Sequence, residues 1–206
     1  MAAIDRTASR SVSGDAPKIV MDQQIGRRGG SVSDPINQLS GDHNQVKRLF
    51  NQWSHLGAEP GMESALAITG LLKVHSTIEE ELVYPVLRRL DDGLATAAVN
   101  DHAQATEIIA SIEAMPSDLG LPIEQAGDHH AKLVDAMNRL HQAVLNHVAE
   151  EEDVIFPKLT AGCTGEELEN MGHAMYRRRQ QLLAADGQGV TDTLIGSPGW
   201  EGSPNI

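Results

Sequence analysis

Four stretches of the chain place apolar residues at spacings of three and four, the period of one face of an α-helix. In the first, Ile36, Leu39, His43, Val46, Phe50 and Trp53 form a single stripe. Ser33-Asp34-Pro35 precedes it, a cap residue followed by proline at the first helical position, and Gly57 to Gly61 ends it. A second helix is expected over 62–90, with His75, Glu79, Leu82, Val83 and Val86 on one face. Pro85 removes a backbone donor there and is expected to kink or end the regular part. A third covers 94–115, with Ala95, Val99, His102, Ala105, Ile109 and Ile112 inward. After a longer connection, Asp128 is expected to cap a fourth helix over 128–159. Its inward face carries Leu133, Met137, Leu140, Val144, His147, Glu151 and Ile155. A Gly- and Thr-rich break at 160–165 leads into a shorter fifth helix over 166–185.

No strand-like alternation flanked by hairpin turns occurs. The pattern therefore predicts an all-α fold, an up-down-up-down four-helix bundle over 33–186, with the short fifth helix across an outer surface or one end. Residues 1–32, rich in Ser, Gly and Arg, read as a flexible N-terminal leader, and 187–206 as a flexible tail.

Composition narrows the function classes. The chain has 206 residues, 40% of them hydrophobic and only 3% aromatic, so the core must be aliphatic. Its net charge of −13 argues against nucleic acid or an anionic membrane as partner, because both reward clustered Lys and Arg. Arg177-Arg178-Arg179 is best explained as a solvated helix face. One cysteine, Cys163, excludes an intrachain disulfide and a thiolate metal site. No apolar run spans a bilayer and no secretory signal is visible, so a cytoplasmic, reducing location is expected.

The chemistry lies in a repeat. His75 and Glu79 are echoed by His147 and Glu151, and each pair runs on to an aromatic and a proline, Tyr84-Pro85 and Phe156-Pro157. Residues i and i+4 share a helix face. His43 and His102 sit mid-stripe on the other two helices. His55 and His141 fall about 120° off their stripes, and His129 and His130 are too distant or out of phase. Glu80 and Glu81 fall about 140° and 240° from His75, so Glu79 alone faces inward in that run. Glu150 and Glu151 both reach the inner face, and the echo favours Glu151; Glu152 and Asp153 are expected in solvent. Four imidazoles and two carboxylates buried without a cation would leave groups unsatisfied or charged, at a cost of several kcal/mol. A pair of metal ions held by His43, His75, Glu79, His102, His147 and Glu151 removes that cost. Imidazole and carboxylate with open positions suit iron; zinc closes a tetrahedron, and manganese is the rival. Ferritin-like bundles use Glu-x-x-His and four carboxylates, a different site.

Asp42-His43, His75 with Glu79, Asp101-His102 and His147 with Glu151, in that order and one group per helix, resemble the hemerythrin-like (HHE cation-binding) family. The resemblance covers about residues 34–185 and implies a bundle around a non-heme di-iron centre. It also implies binding or consumption of a small oxidant: oxygen, nitric oxide or hydrogen peroxide. The oxygen-carrying members have a second histidine four residues after that of the third helix, where this chain has Thr106, and commonly an aspartate where it has Glu151. That difference argues against reversible oxygen carriage. Tyr176 is the candidate for a further ligand, with His173 beside it on the fifth helix. Tyr84 is a poorer one, being about 180° from His75 on a straight helix. Lys47, four residues after His43, either donates into the site or lays its stem along the bundle with its ammonium at the surface. The first functional reading is an oxidant-handling di-iron protein, with peroxide breakdown or nitric oxide handling in stress defence. The second is an iron- or oxygen-responsive sensor without turnover, and the third a passive bundle.

Overall fold

A computed structural model describes residues 33–55, 61–116 and 123–185, all helix, turn or short link, with no strand among them. The expected leader over 1–32 and tail over 187–206 lie outside the described residues. Helix α1 spans Pro35–His55. Asp34 caps it, accepting from the backbone N–H of Ile36 at 3.0 Å and of Asn37 at 3.2 Å. Helix α2 (Met62–Ile78), a π-turn (Glu79–Val83) and α3 (Tyr84–Leu90) follow without a break. Asp91 caps α4 (Asp92–Glu113), its carboxylate accepting from the Leu94 N–H at 3.0 Å and from Lys158. Helix α5 (Ile123–Glu150), a second π-turn (Glu151–Ile155) and α6 (Phe156–Gly162) repeat the α2–α3 plan. Helix α7 (Gly165–Ala185) closes the described chain.

Four rods therefore form the bundle: α1, α2–α3, α4 and α5–α6. Helix α7 lies along α1 and α2, on the outer surface. The third and fourth helices start earlier than the apolar stripes suggest, at Asp92 and Ile123. For the third, the Asp91 cap fixes the start ahead of the first inward residue. No described helix is long and apolar enough to cross a membrane.

The π-turns are the main departure from the expected rods. Each opens on a motif glutamate, and each closes with an N–H reaching back five residues. Tyr84 donates to the Glu79 carbonyl and Phe156 to the Glu151 carbonyl. Pro85 and Pro157 stand immediately after, in the first turn of the resumed α-helix, where a missing N–H costs little. The prolines neither end the helices nor break the bundle.

The core has two apolar layers. Phe50, Trp53, Ile68, Ile112, Met137 and Leu140 belong to one, and Leu39, Ile78, Leu87, Ile155, Leu159 and Met175 to the other. Between them lies a polar stratum of His43, His75, Glu79, His102, His147 and Glu151, none more than 8% exposed.

Candidate metal centre

The six residues singled out by spacing converge. The Glu79 Oε2 atom lies 3.0 Å from His75 Nε2, 3.3 Å from His102 Nε2 and 4.0 Å from His147 Nε2. The Glu151 Oε2 atom lies 3.1 Å from His43 Nε2 and 3.5 Å from His147 Nε2. Two sets emerge whose donor atoms all fall within 4.8 Å of one another: His43, His75, Glu79 and Glu151, and Glu79, His102 and His147. Glu79 is common to both.

Every Nε2 faces inward, and three of the four Nδ1 atoms lie within hydrogen-bond reach of a carboxylate. His75 Nδ1 is 3.3 Å from Asp42, His102 Nδ1 is 3.0 Å from Glu80, and His43 Nδ1 is 2.9 Å from Glu152. His147 Nδ1 has Asp101 at 4.0 Å, beyond hydrogen-bond reach. The carboxylates form a ring, each helix supplying the partner for the histidine of the next: α1 to α2, α2–α3 to α4, α4 to α5, and α5–α6 back to α1. Such partners fix the tautomer of a ligating imidazole and aim its free lone pair. Glu80, placed off the inward face by spacing, and Glu152, expected in solvent, are both exposed, yet they also reach His102 and His43. Both stand inside π-turns, where each residue turns the chain through less than a regular α-helix does. A usable signal was present: an acidic residue adjoins four of the six motif residues, Asp before His43 and His102, and Glu after Glu79 and Glu151.

Tyr84 is the second correction. An extra residue in the helix takes back about 100°, leaving Tyr84 about 80° from His75 instead of opposite it. It is 3% exposed, its hydroxyl 3.0 Å from His102 Nε2 and donating to Glu151 Oε1 at 3.2 Å. Its place is beside the set with fewer protein donors. Tyr176 is half-buried on α7 and makes no hydrogen bond among the described residues. His173 faces outward and pairs only loosely with Glu169, at 3.8 Å. The corresponding aromatic of the second repeat, Phe156, stacks on His43 with ring centroids 5.6 Å apart and planes 8° from parallel. Lys47 takes the surface role, its Nζ 3.2 Å from both Glu152 oxygens. His141 stays outside the site, stacked on Phe50 with centroids 4.4 Å apart.

The electrostatics are those of buried charges that lean on one another. Burial works against charge on His75, but the Glu79 and Asp42 carboxylates outweigh it and hold the imidazole well above its ordinary pKa. Burial likewise opposes the Glu79 carboxylate, and the surrounding imidazoles, His75 foremost, hold it well below its ordinary value. His147 is raised against burial by Glu79 and Glu151. Burial pushes the Tyr84 hydroxyl up, and Glu79 and Glu151 push it further, so it stays protonated and can donate. Even so, His43 Nε2, both Glu79 oxygens and Glu151 Oε2 are buried without a hydrogen-bond partner, although ion-pair distances separate several of them. Lone pairs at short range but off hydrogen-bond lines are costly unless a cation takes them. The donor set fits bound metal on that observation.

A narrow cavity of about 30 Å³ abuts the four histidines, walled by Val46, Leu72, Ala105, Ile109, Val144 and Val148. One water needs about 10–15 Å³ on this measure, so the space suits two waters or one diatomic molecule.

Comparison with known families agrees with this geometry. The model of the hemerythrin HHE cation binding domain matches residues 34–159, more than half the chain and all six donors. No curated protein and no solved structure matches the chain significantly. The chain belongs to the hemerythrin HHE cation-binding family.

Proposed function

We propose that this protein holds two iron ions and uses them to bind or consume a small oxidant, oxygen, nitric oxide or hydrogen peroxide, in oxidative or nitrosative stress defence in the cytoplasm. His43, His75, Glu79 and Glu151 hold one ion; His102, His147 and the shared Glu79 hold the other. The Tyr84 hydroxyl offers the second ion's set an oxygen or a hydrogen bond. A ferrous pair with open positions supplies electrons and coordination sites for such an oxidant. The carboxylate ring keeps the imidazoles aimed, and the aliphatic wall admits small molecules while excluding bulk water. Manganese is the competing metal, since the donors alone do not separate it from iron.

The observation that supports this reading best is the convergence of six buried donors with orphaned lone pairs beside a diatomic-sized cavity. Its test is anaerobic loading with ferrous iron followed by exposure to each oxidant. Peroxide breakdown with oxygen evolution over many turnovers per site is expected; an iron-loaded protein inert to all three overturns the oxidant role. The second reading is a sensor that binds without turnover. It is favoured by the ion pairs that join α7 to carboxylates around the site, and stoichiometric binding with a change in α7 would support it.

A further inference from the structure

Helix α7 lies beyond the residues that match the family, which end at 159. It is seated tightly all the same. A Cβ at Gly172 would collide with the Ser33 carbonyl, so only glycine lets α7 approach the start of α1 this closely. Gln38 of α1 donates to the Gly172 carbonyl at 2.9 Å. From this seat two adjacent arginines reach the site's surroundings. Arg178 makes a two-pronged ion pair with Glu81, inside the π-turn that carries Glu79, at 2.6 and 2.7 Å. Arg179 Nη2 donates to Asp42 Oδ2 at 2.6 Å, the same oxygen that faces His75 Nδ1 at 3.3 Å. Arg179 and Asp42 are each only 18% exposed.

The other outer carboxylates differ. Glu152 is held by Lys47 of α1, within the matched domain, and among the described residues Glu80 and Asp101 have no lysine or arginine partner. Among the described residues, Asp42 alone of these four histidine partners is held by a cation from outside that domain.

We propose that α7 is a clamp on one half of the metal centre, with Arg179 a positioning residue that acts through Asp42 on His75. The inference rests on the metal reading above. The guanidinium fixes the Asp42 carboxylate, the carboxylate fixes the His75 tautomer and ring, and the ring presents Nε2 to the ion shared with His43. A charge-assisted hydrogen bond has the strength and directionality for this. Linkage makes the effect reciprocal: if a docked α7 tightens the ion, the ion tightens the docking by the same factor.

Positioning and plain electrostatics predict opposite signs. Arg179→Gln removes a positive charge near a cation site, which on Coulomb grounds alone tightens metal binding. The clamp predicts loosening. The contact is a single N–H to a single oxygen, so Arg179→Lys keeps both the charge and a donor and restores the wild-type behaviour.

The test uses the full chain loaded anaerobically with ferrous iron, with release to excess chelator followed in the wild type and both variants. Hydrogen exchange of α7 is measured with and without iron. In Arg179→Gln one ion is expected to leave about 10- to 100-fold faster, the usual effect of losing an outer partner, while the other is unchanged. Iron protects α7 amides in the wild type and in Arg179→Lys but not in Arg179→Gln. Asp42→Asn, which keeps the side-chain shape, gives the same selective release. Unchanged or slower release from Arg179→Gln overturns the clamp, as does equal acceleration of both ions. A wild-type chain that takes up no iron overturns the metal reading and the clamp with it, whereas normal loading with uniform release overturns the clamp alone.

Discussion

At the scale of the residue, Glu79 differs from the other donors because it belongs to both sets. Glu79→Gln keeps the shape and removes the charge. Bound iron is expected to fall from both sets, whereas His102→Ala leaves about one ion per chain on the intact His43/His75 set. Metal analysis of the two variants decides between a shared carboxylate and two independent sites; equal losses would refute the sharing. Tyr84→Phe keeps the ring and removes one buried hydrogen bond, a loss of about 1 kcal/mol. Any tyrosinate absorption of the iron-loaded protein is expected to disappear in Tyr84→Phe and persist in Tyr176→Phe, and the reverse would return the role to Tyr176. The motif residues were legible because a helix with an i, i+4 period puts His75 beside Glu79 and His147 beside Glu151, whatever surrounds them. Tyr84 was not, because its direction depends on an inserted residue that leaves the hydrophobic period on either side intact.

At the scale of the element, the π-turns decide which side chains enter the site. Each begins on a motif glutamate and re-aims an aromatic nine residues beyond a histidine, Tyr84 toward His102 and Phe156 onto His43. Inserting one alanine after Leu82 should turn everything downstream by about 100°. Tyr84 then leaves the site and Leu87 leaves the core, so iron content and melting temperature are both expected to drop. Full iron content in the insertion variant would show that the register beyond the turn is incidental. Most of the helices were readable from apolar stripes, caps and glycines, as α1 illustrates with Asp34, Pro35 and its stripe from Ile36 to Trp53. The π-turns were not, since nothing local in Glu79-Glu-Glu-Leu-Val83 separates them from an α-turn. The proline six residues after each glutamate is the nearest sign, and it marks the place without giving the geometry.

At the scale of the whole molecule, two apolar layers hold a charged stratum, and the stability of the chain is tied to what fills it. Without metal, the raised His75 and His147 values mean that their imidazolium–carboxylate pairs stabilise the fold fully below the ordinary histidine pKa of about 6.5. That contribution is lost as pH rises through the raised values. The lowered Glu79 contributes with the opposite sign, present above the ordinary glutamate range and lost on acidification through its depressed value. Metal displaces the protons, so its binding strengthens as pH climbs. The gain in melting temperature on adding ferrous iron is therefore expected to be larger near pH 8 than near pH 6, as anaerobic melts would record; a gain that shrinks with rising pH would mean the metal sits elsewhere. The bundle and its buried polar stratum were visible in the chain as four stripes with one histidine each. The docking of α7 was not, because Gly172 and the arginine run have meaning only once α1 lies against them. The most direct measurement of the central claim is the metal content of the full chain after purification without added metal and after anaerobic titration with ferrous iron. Two tightly held iron ions per chain, lost when Glu79 is changed, are predicted; a chain that retains no transition metal and accepts none on titration would contradict it.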